Sequence, residues 1–327
     1  MPRRLAPMVM GLTPPRRFGL SRGLLEPIRS YEPSAIRVFP LVGADHCARI
    51  LNLKFQKVAT DGRMLAEALR FGYETYHYDM VLVFSDPYVE AEALGCPVEF
   101  NPYAFVRGPS KDPSRSDEGR TPIIIEAAGL LKELDAPVFV SMKGPFSLAS
   151  LLAGVEVFLK MLIAAEDEAE YLLSRAVDFQ HAYLERLLPL GVDIFIGDPV
   201  ASSSVISPEC FRRFVLSPLR SLVQRVKETG RNCGIHICGD TEPIITDLDQ
   251  IGADILSIED IRLKTRTLRM GGVRTGTILS GDRAMIREEA VKAKKYQPLI
   301  LSTSCDVPPE ADPESINTLI RIGHGEG

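Results

Sequence analysis

Residues 234–239 read Gly234-Ile235-His236-Ile237-Cys238-Gly239, an apolar run of strand length closed by a glycine. Residues at i and i+2 of a β-strand project to one face, so His236 and Cys238 are expected to aim together while Ile235 and Ile237 aim the other way. An imidazole and a thiol so placed are half of a metal site, and at least one more donor must arrive from elsewhere in the fold. Cys305 is the candidate, because it closes the apolar run from Pro298 near the C-terminus. Taken singly, Cys238 is more ordinarily a small buried hydrophobe and His236 a satisfied core histidine.

Outward from this stretch, eight short apolar segments read as strands, at residues 35–43, 80–86, 137–144, 193–198, 234–239, 254–260, 274–281 and 298–305. Each is followed by helical sequence. Helical spacing runs through 61–73 and 125–134, 155–190 must hold at least two helices, and Ser207 with Pro208 supplies an N-cap and first helical residue for a helix ending near Gly230. Further helices are expected over 242–251, from Arg283 and near Ser315, whereas 101–121, rich in Pro, Ser, Gly, Arg and Asp, reads as a long loop. Strands alternating with helices imply parallel β-α units, and eight of them close a barrel. The expected fold is therefore α/β, a single (β/α)8 TIM barrel over residues 31–327. An open doubly wound sheet is the alternative, with no Gly-rich fingerprint after the first strand to favour it.

Residues 1–30 read as a basic arm, carrying Arg3, Arg4, Arg16, Arg17 and Arg22 with no acidic residue before Glu26 and no apolar core of a secretion signal. The 327-residue chain is 45% hydrophobic and 25% charged, the composition of a soluble globular protein, and no apolar run approaches the roughly 18–20 residues of a membrane helix. A net charge of -5 argues against a general affinity for nucleic acid. Six cysteines scattered without a secretory signal read as reduced thiols in a cytoplasm-like compartment, with Cys47, Cys96, Cys210 and Cys233 structural.

Active sites of such barrels lie at the C-terminal ends of the strands. Those ends carry Asp45 and His46, Asp86, Lys143, Asp198, His236 and Cys238, Glu259 and Asp260, Asp282, and Cys305. Loops are polar in any case, but thiols there are not expected by default. Asp45, His46 and Asp198 are candidates for contact with substrate. The backbone amides of the helix that Gly144-Pro145 opens are a candidate anion contact, and Lys143 reads as solvated.

Several motifs together resemble the uroporphyrinogen decarboxylase superfamily: Phe84-Ser85-Asp86 followed by Glu92 to Gly95, Gly144 to Ala149, Gly191 to Asp193, Ile206 to Phe214, His236 to Gly239, and Leu301 to Pro309. The resemblance runs from about residue 35 to the C-terminus and implies the same barrel. Decarboxylases of that superfamily hold the carboxylates of a tetrapyrrole with the arginines of an Arg-Gln-Ala-Gly-Arg-Tyr segment. The corresponding stretch here, Leu41 to Ala48, lacks the arginine pair and holds Asp45; the decarboxylases' late Gly-His-Gly is replaced by Ser304-Cys305-Asp306.

The zinc-dependent corrinoid methyltransferase branch is matched instead, through His236, Cys238 and Cys305 as metal ligands. That resemblance implies zinc, a methylcorrinoid donor arriving on a separate carrier protein, and a small thiol acceptor of the coenzyme M kind. Methyl transfer from Co(III) is an in-line displacement, so the acceptor must be a thiolate, and zinc supplies one by displacing the proton of a thiol that is mostly protonated at neutral pH. Glu259 is the candidate for a fourth ligand in the resting state or for orienting His236, a role open also to Asp198 or Asp260. Asp86 matches the catalytic aspartate of the decarboxylases. A cofactor-free decarboxylase and a non-catalytic barrel that binds a corrinoid or its carrier are the other two readings.

Overall fold

Seven strands pair in parallel and in chain order to form one sheet: β1 (Val81–Val83), β4 (Val138–Lys143), β5 (Asp193–Gly197), β6 (Cys233–His236), β7 (Ile255–Ser257), β8 (Leu268–Val273) and β9 (Leu299–Thr303). A separate antiparallel hairpin joins β2 (Val98–Phe100) to β3 (Ala104–Val106). The computed structural model describes residues 36–114 and 116–326, so the basic arm at 1–30 lies outside the described residues. Helices connect successive strands as parallel pairing requires, except between β7 and β8, where residues 258–267 form no helix although helical sequence is expected after each strand. Some of them start at a side-chain cap: Asp61 accepts from the Met64 amide, Ser207 from Cys210 and Asp312 from Glu314. Among the described residues no single helix is long and apolar enough to cross a membrane.

The sheet carries apolar residues on both faces, as parallel sheets do. Its outer face, including Ile235 and Ile237, packs beneath the helices in a large cluster. Its inner face builds a second cluster from Phe39, Leu41, Met80, Leu82, Phe139, Phe195, Ile255, Leu268, Met270 and Ile300. The sheet is thus curled, because residues before β1 meet residues of β9. Phe39, Phe139 and Phe195 form the centre, with ring centroids 5.8–6.4 Å apart. β6 contributes no inner apolar side chain there. A Cβ at Gly234 would lie 2.4 Å from the Phe195 ring, so this glycine makes room for the aromatic cluster.

The structure corrects four expectations. Residues 35–43 do not form a regular strand. They make a single bridge, Val38 to Leu301, with Phe39 N donating to Leu301 O at 2.9 Å and Asp79 N donating to Val38 O at 2.9 Å. Pro40 brings no amide hydrogen to a ladder, and the Val38 amide donates to the Asp79 carboxylate at 2.6 Å instead of to a strand.

Residues 275–280 form a helix, and the strand of that unit is β8, just before it. Its Gly271-Gly272 pair has positive φ at both positions and close neighbours, Ile258 O at 2.6 Å and Ala293 Cβ at 2.6 Å from an added Cβ. The shift removes Asp282 from the strand ends, where it becomes the N-cap of the helix Arg283–Ala293. The 101–121 segment contains β3 rather than loop alone, and β6 ends at His236, which leaves Cys238 on the following loop.

Candidate metal centre

Register aligns Lys143, Gly197, His236 and Ser257 across four neighbouring strands. His236 therefore points inward at the C-terminal edge of the sheet. Its ring stacks on Phe195, centroids 6.5 Å apart, and its Nδ1 lies 3.0 Å from Ser257 Oγ. That leaves Nε2 facing Cys238 Sγ at 3.0 Å. Cys305, two residues past β9, brings its Sγ to 3.6 Å from that of Cys238.

The ligand atoms of His236, Cys238 and Cys305 all lie within 4.8 Å of one another. Zinc bonds of about 2.0–2.3 Å in a tetrahedron separate donors by roughly 3.3–3.8 Å, so the trio lies near the spacing of three corners of such a site. Cys305 is held well below the ordinary thiol range by the hydrogen bond from Cys238 and by His236, while Cys238 is pushed up in exchange. A proton shared by two thiols in this way is what a divalent cation would displace.

The loop that carries Cys238 is fastened from outside. Gly239 N donates to Glu259 Oε1 at 2.7 Å and Asp240 N to Ser204 Oγ at 2.9 Å. Glu259 is exposed, holds this loop, and is outside the trio of converging donors. Asp260 pairs with Arg262.

The trio opens into a cavity of about 370 Å³. Asp86 lines it, with both carboxylate oxygens taken by Arg120 and further hydrogen bonds from Ser85 Oγ and the Tyr88 amide. Arg120 is itself held by Glu92 and lies over the Phe100 ring, 5.2 Å from its centroid. Lys143 is half-buried in the cavity wall rather than solvated, and burial lowers its pKa. Beside it Glu90 accepts from the Lys143 amide at 2.7 Å. Asp306, next to Cys305, is exposed at the edge of the cavity, and the charge of Cys305 acts to raise its pKa.

Three expected contacts lie elsewhere. Asp198 is fully buried behind the cavity, where it accepts from the Ser147 and Phe146 amides at 2.7 and 3.3 Å and so caps the helix Pro145–Ala153. The anion at that helix start is thus the chain's own carboxylate. Asp45 and His46 sit in the helix Ala44–Ile50 and do not line the cavity. His46 is fully buried with Nε2 2.7 Å from Tyr76 Oη, and burial lowers its pKa to about 4. Ser257, Arg120, Glu90 and Asp306 were not singled out in the sequence. Ser257 and Asp306 had a signal: one lies on the strand after His236, the other beside Cys305.

A model of the family described as "Uroporphyrinogen decarboxylase (URO-D)" matches residues 35–325. The chain is 29% identical over 272 residues to a methylated-thiol--coenzyme M methyltransferase of Methanosarcina mazei, covering 78% of this chain and 71% of that protein. It is 27% identical over 298 residues to a methylcobamide:CoM methyltransferase of Methanosarcina barkeri, covering 80% and 84%. A solved methyltransferase from Methanosarcina mazei superposes with a TM-score of 0.81 at 24% identity, over 93% of this chain and 97% of that one. With its match spanning nearly all the described residues, the chain belongs to the uroporphyrinogen decarboxylase family.

Proposed function

We propose that this protein is a zinc-dependent methyltransferase that moves a methyl group from a corrinoid, held on a separate carrier protein, to a thiol. The observation that carries the reading is the convergence of His236, Cys238 and Cys305 at the mouth of one cavity. Bound by these three, zinc would supply a Lewis acid that keeps an acceptor sulfur deprotonated at neutral pH, with a position left for that sulfur. His236 is aimed by Ser257, and the loop of Cys238 is held by Glu259 and Ser204. The cavity walls orient the acceptor. In the transfer the sulfur–carbon bond forms as the cobalt–carbon bond breaks, the pair stays on cobalt as Co(I), and the thiol proton leaves to water.

We further read the extended segment at Val38 as the eighth position of a closed barrel, residues 31–327 as one catalytic unit, and the cytoplasm as its compartment. A decarboxylase reading has less support: Asp86 has both oxygens on Arg120, and the arginine pair that would hold a polycarboxylate is missing. Metal analysis of the purified protein, with His236→Ala and Cys305→Ser beside it, tests the proposal together with loss of the cobalt–carbon absorbance of methylcobalamin on adding 2-mercaptoethanol. Stoichiometric zinc in the wild type, its loss in both variants and thiol-dependent demethylation are expected. A metal-free wild type, or variants with undiminished zinc, would sink it.

A further inference from the structure

Two free cysteine sulfurs, those of Cys238 and Cys305, stand 3.6 Å apart on the cavity wall. Both residues are half-buried, and neither is fixed within a strand. Cys238 follows the end of β6 and Cys305 the end of β9, and Gly239, with φ at 71°, turns the chain just after Cys238. A disulfide holds its sulfurs at about 2.05 Å, so roughly 1.5 Å of closure joins the pair, a shift that side-chain rotation on loop backbone supplies. Cys47, Cys96 and Cys233 are buried, and Cys210, half-exposed, stands outside the cavity wall.

We propose that this pair also undergoes thiol–disulfide exchange with small disulfides that enter the cavity, the oxidised forms of acceptor thiols, and that closure of Cys238 on Cys305 switches the metal site off. The loss of the metal site rests on the function given above, whereas the exchange rests on the sulfur pair alone.

One cysteine sulfur bonds to a sulfur of the small disulfide, whose own sulfur–sulfur bond breaks and releases one thiol. The second cysteine, already close, attacks the mixed disulfide and releases the other. The two cysteine protons end on the two released thiols, and two electrons pass from the protein to the small disulfide, which is the oxidant. A cavity of about 370 Å³ accommodates a disulfide of two-carbon thiols, and Leu82, Phe84 and Met142 offer its methylenes an apolar wall. Joined sulfurs are no longer cysteinate ligands, which leaves His236 as the one remaining donor of the trio. An oxidised acceptor pool thereby stops the transfer that consumes its reduced form.

The test treats the Cys210→Ser protein, metal-free and zinc-loaded, with 2-hydroxyethyl disulfide. In the metal-free protein, peptide mass spectrometry is expected to find Cys238 linked to Cys305, with two equivalents of 2-mercaptoethanol released and Cys47, Cys96 and Cys233 unmodified. Adding Cys238→Ser or Cys305→Ser should halt the reaction at a mixed disulfide on the remaining cysteine, with one equivalent released. In the zinc-loaded protein a chromophoric indicator should register one zinc freed for each disulfide closed, and zinc uptake should return after reduction with a phosphine.

Mixed disulfides on both cysteines without closure, or no reaction at the pair, overturns the exchange. Zinc that stays bound as the disulfide closes, or a zinc-loaded protein that does not react, overturns the switch. Zinc content of the untreated protein decides the function separately: zinc without closure removes only the exchange, and closure in a chain that binds no zinc removes only the function.

Discussion

Ser257 holds His236 from the next strand: the two residues are register partners, and Oγ lies 3.0 Å from Nδ1. For Nε2 to serve as a ligand, Nδ1 must carry the proton and donate it to Ser257 Oγ, so the hydroxyl sets both tautomer and ring angle. Ser257→Ala is expected to keep the fold and to lower zinc affinity about 10- to 100-fold. Competition with a chromophoric chelator measures this, and an unchanged affinity would show that the ring needs no such support.

The cysteine pair predicts an unusual pH profile in the metal-free protein. Cys305, held well below the ordinary thiol range by the hydrogen bond from Cys238 and by His236, should be alkylated by iodoacetamide at nearly the same rate at pH 6 and pH 8. An ordinary thiol slows about a hundredfold over that interval. Cys233, which burial pushes up, should stay unmodified. Cys238→Ala removes the hydrogen bond and should restore an ordinary profile to Cys305, read by peptide mass spectrometry.

Gly234→Ala places a methyl group 2.4 Å from the Phe195 ring, inside the inner cluster. Overpacking of this kind costs about 1–3 kcal/mol. In a urea-denaturation cycle with Phe195→Leu, the double variant should be more stable than the sum of the singles predicts. Strict additivity would mean that the ring moves away without cost.

Buried His46 links stability to acid. Folded, it holds its proton only below about 4, because burial lowers the pKa from 6.5, so the unfolded chain takes up a proton first as pH falls. This group's contribution is complete above pH 6.5 and is lost between 6.5 and about 4, on the order of 3 kcal/mol. His46→Gln should flatten the stability curve over that window, and an identical slope in both proteins would refute the assignment.

Arg120 and Asp86 form a buried pair on the cavity wall. Removing one partner strands the other, so Arg120→Met is expected to cost about 3–5 kcal/mol. The loss should be smaller when Asp86→Asn is combined with it, as thermal unfolding of the three variants would show.

Much of the architecture was legible in the chain, because period and punctuation are local properties. Alternation put Ile235 and Ile237 on the outer face and His236 on the inner one, and Asp61, Ser207 with Pro208, and the run from Arg283 marked helix starts where they occur. The errors lay where a distant neighbour overrode local preference. The strand expected at 274–281 lies instead at Leu268–Val273, where Gly271 and Gly272 admit the close approach of Ile258 and Ala293. The residues after them, Thr275 to Ser280, look β-forming but are helical, with Ser304 Oγ accepting from the Thr275 amide.

The site divides in the same way. The chain by itself supplied the donors, two thiols and an imidazole of the right chemistry, and the side on which His236 points. Only the tertiary structure decided that Cys305, 67 residues from Cys238, meets it at 3.6 Å, and that His46 and Asp198 turn into the protein instead of the cavity. A side chain's direction follows from its own backbone, but its distance from another follows from how the sheet curls. That curl is set by the packing of Phe39, Phe139 and Phe195 across strands far apart in sequence.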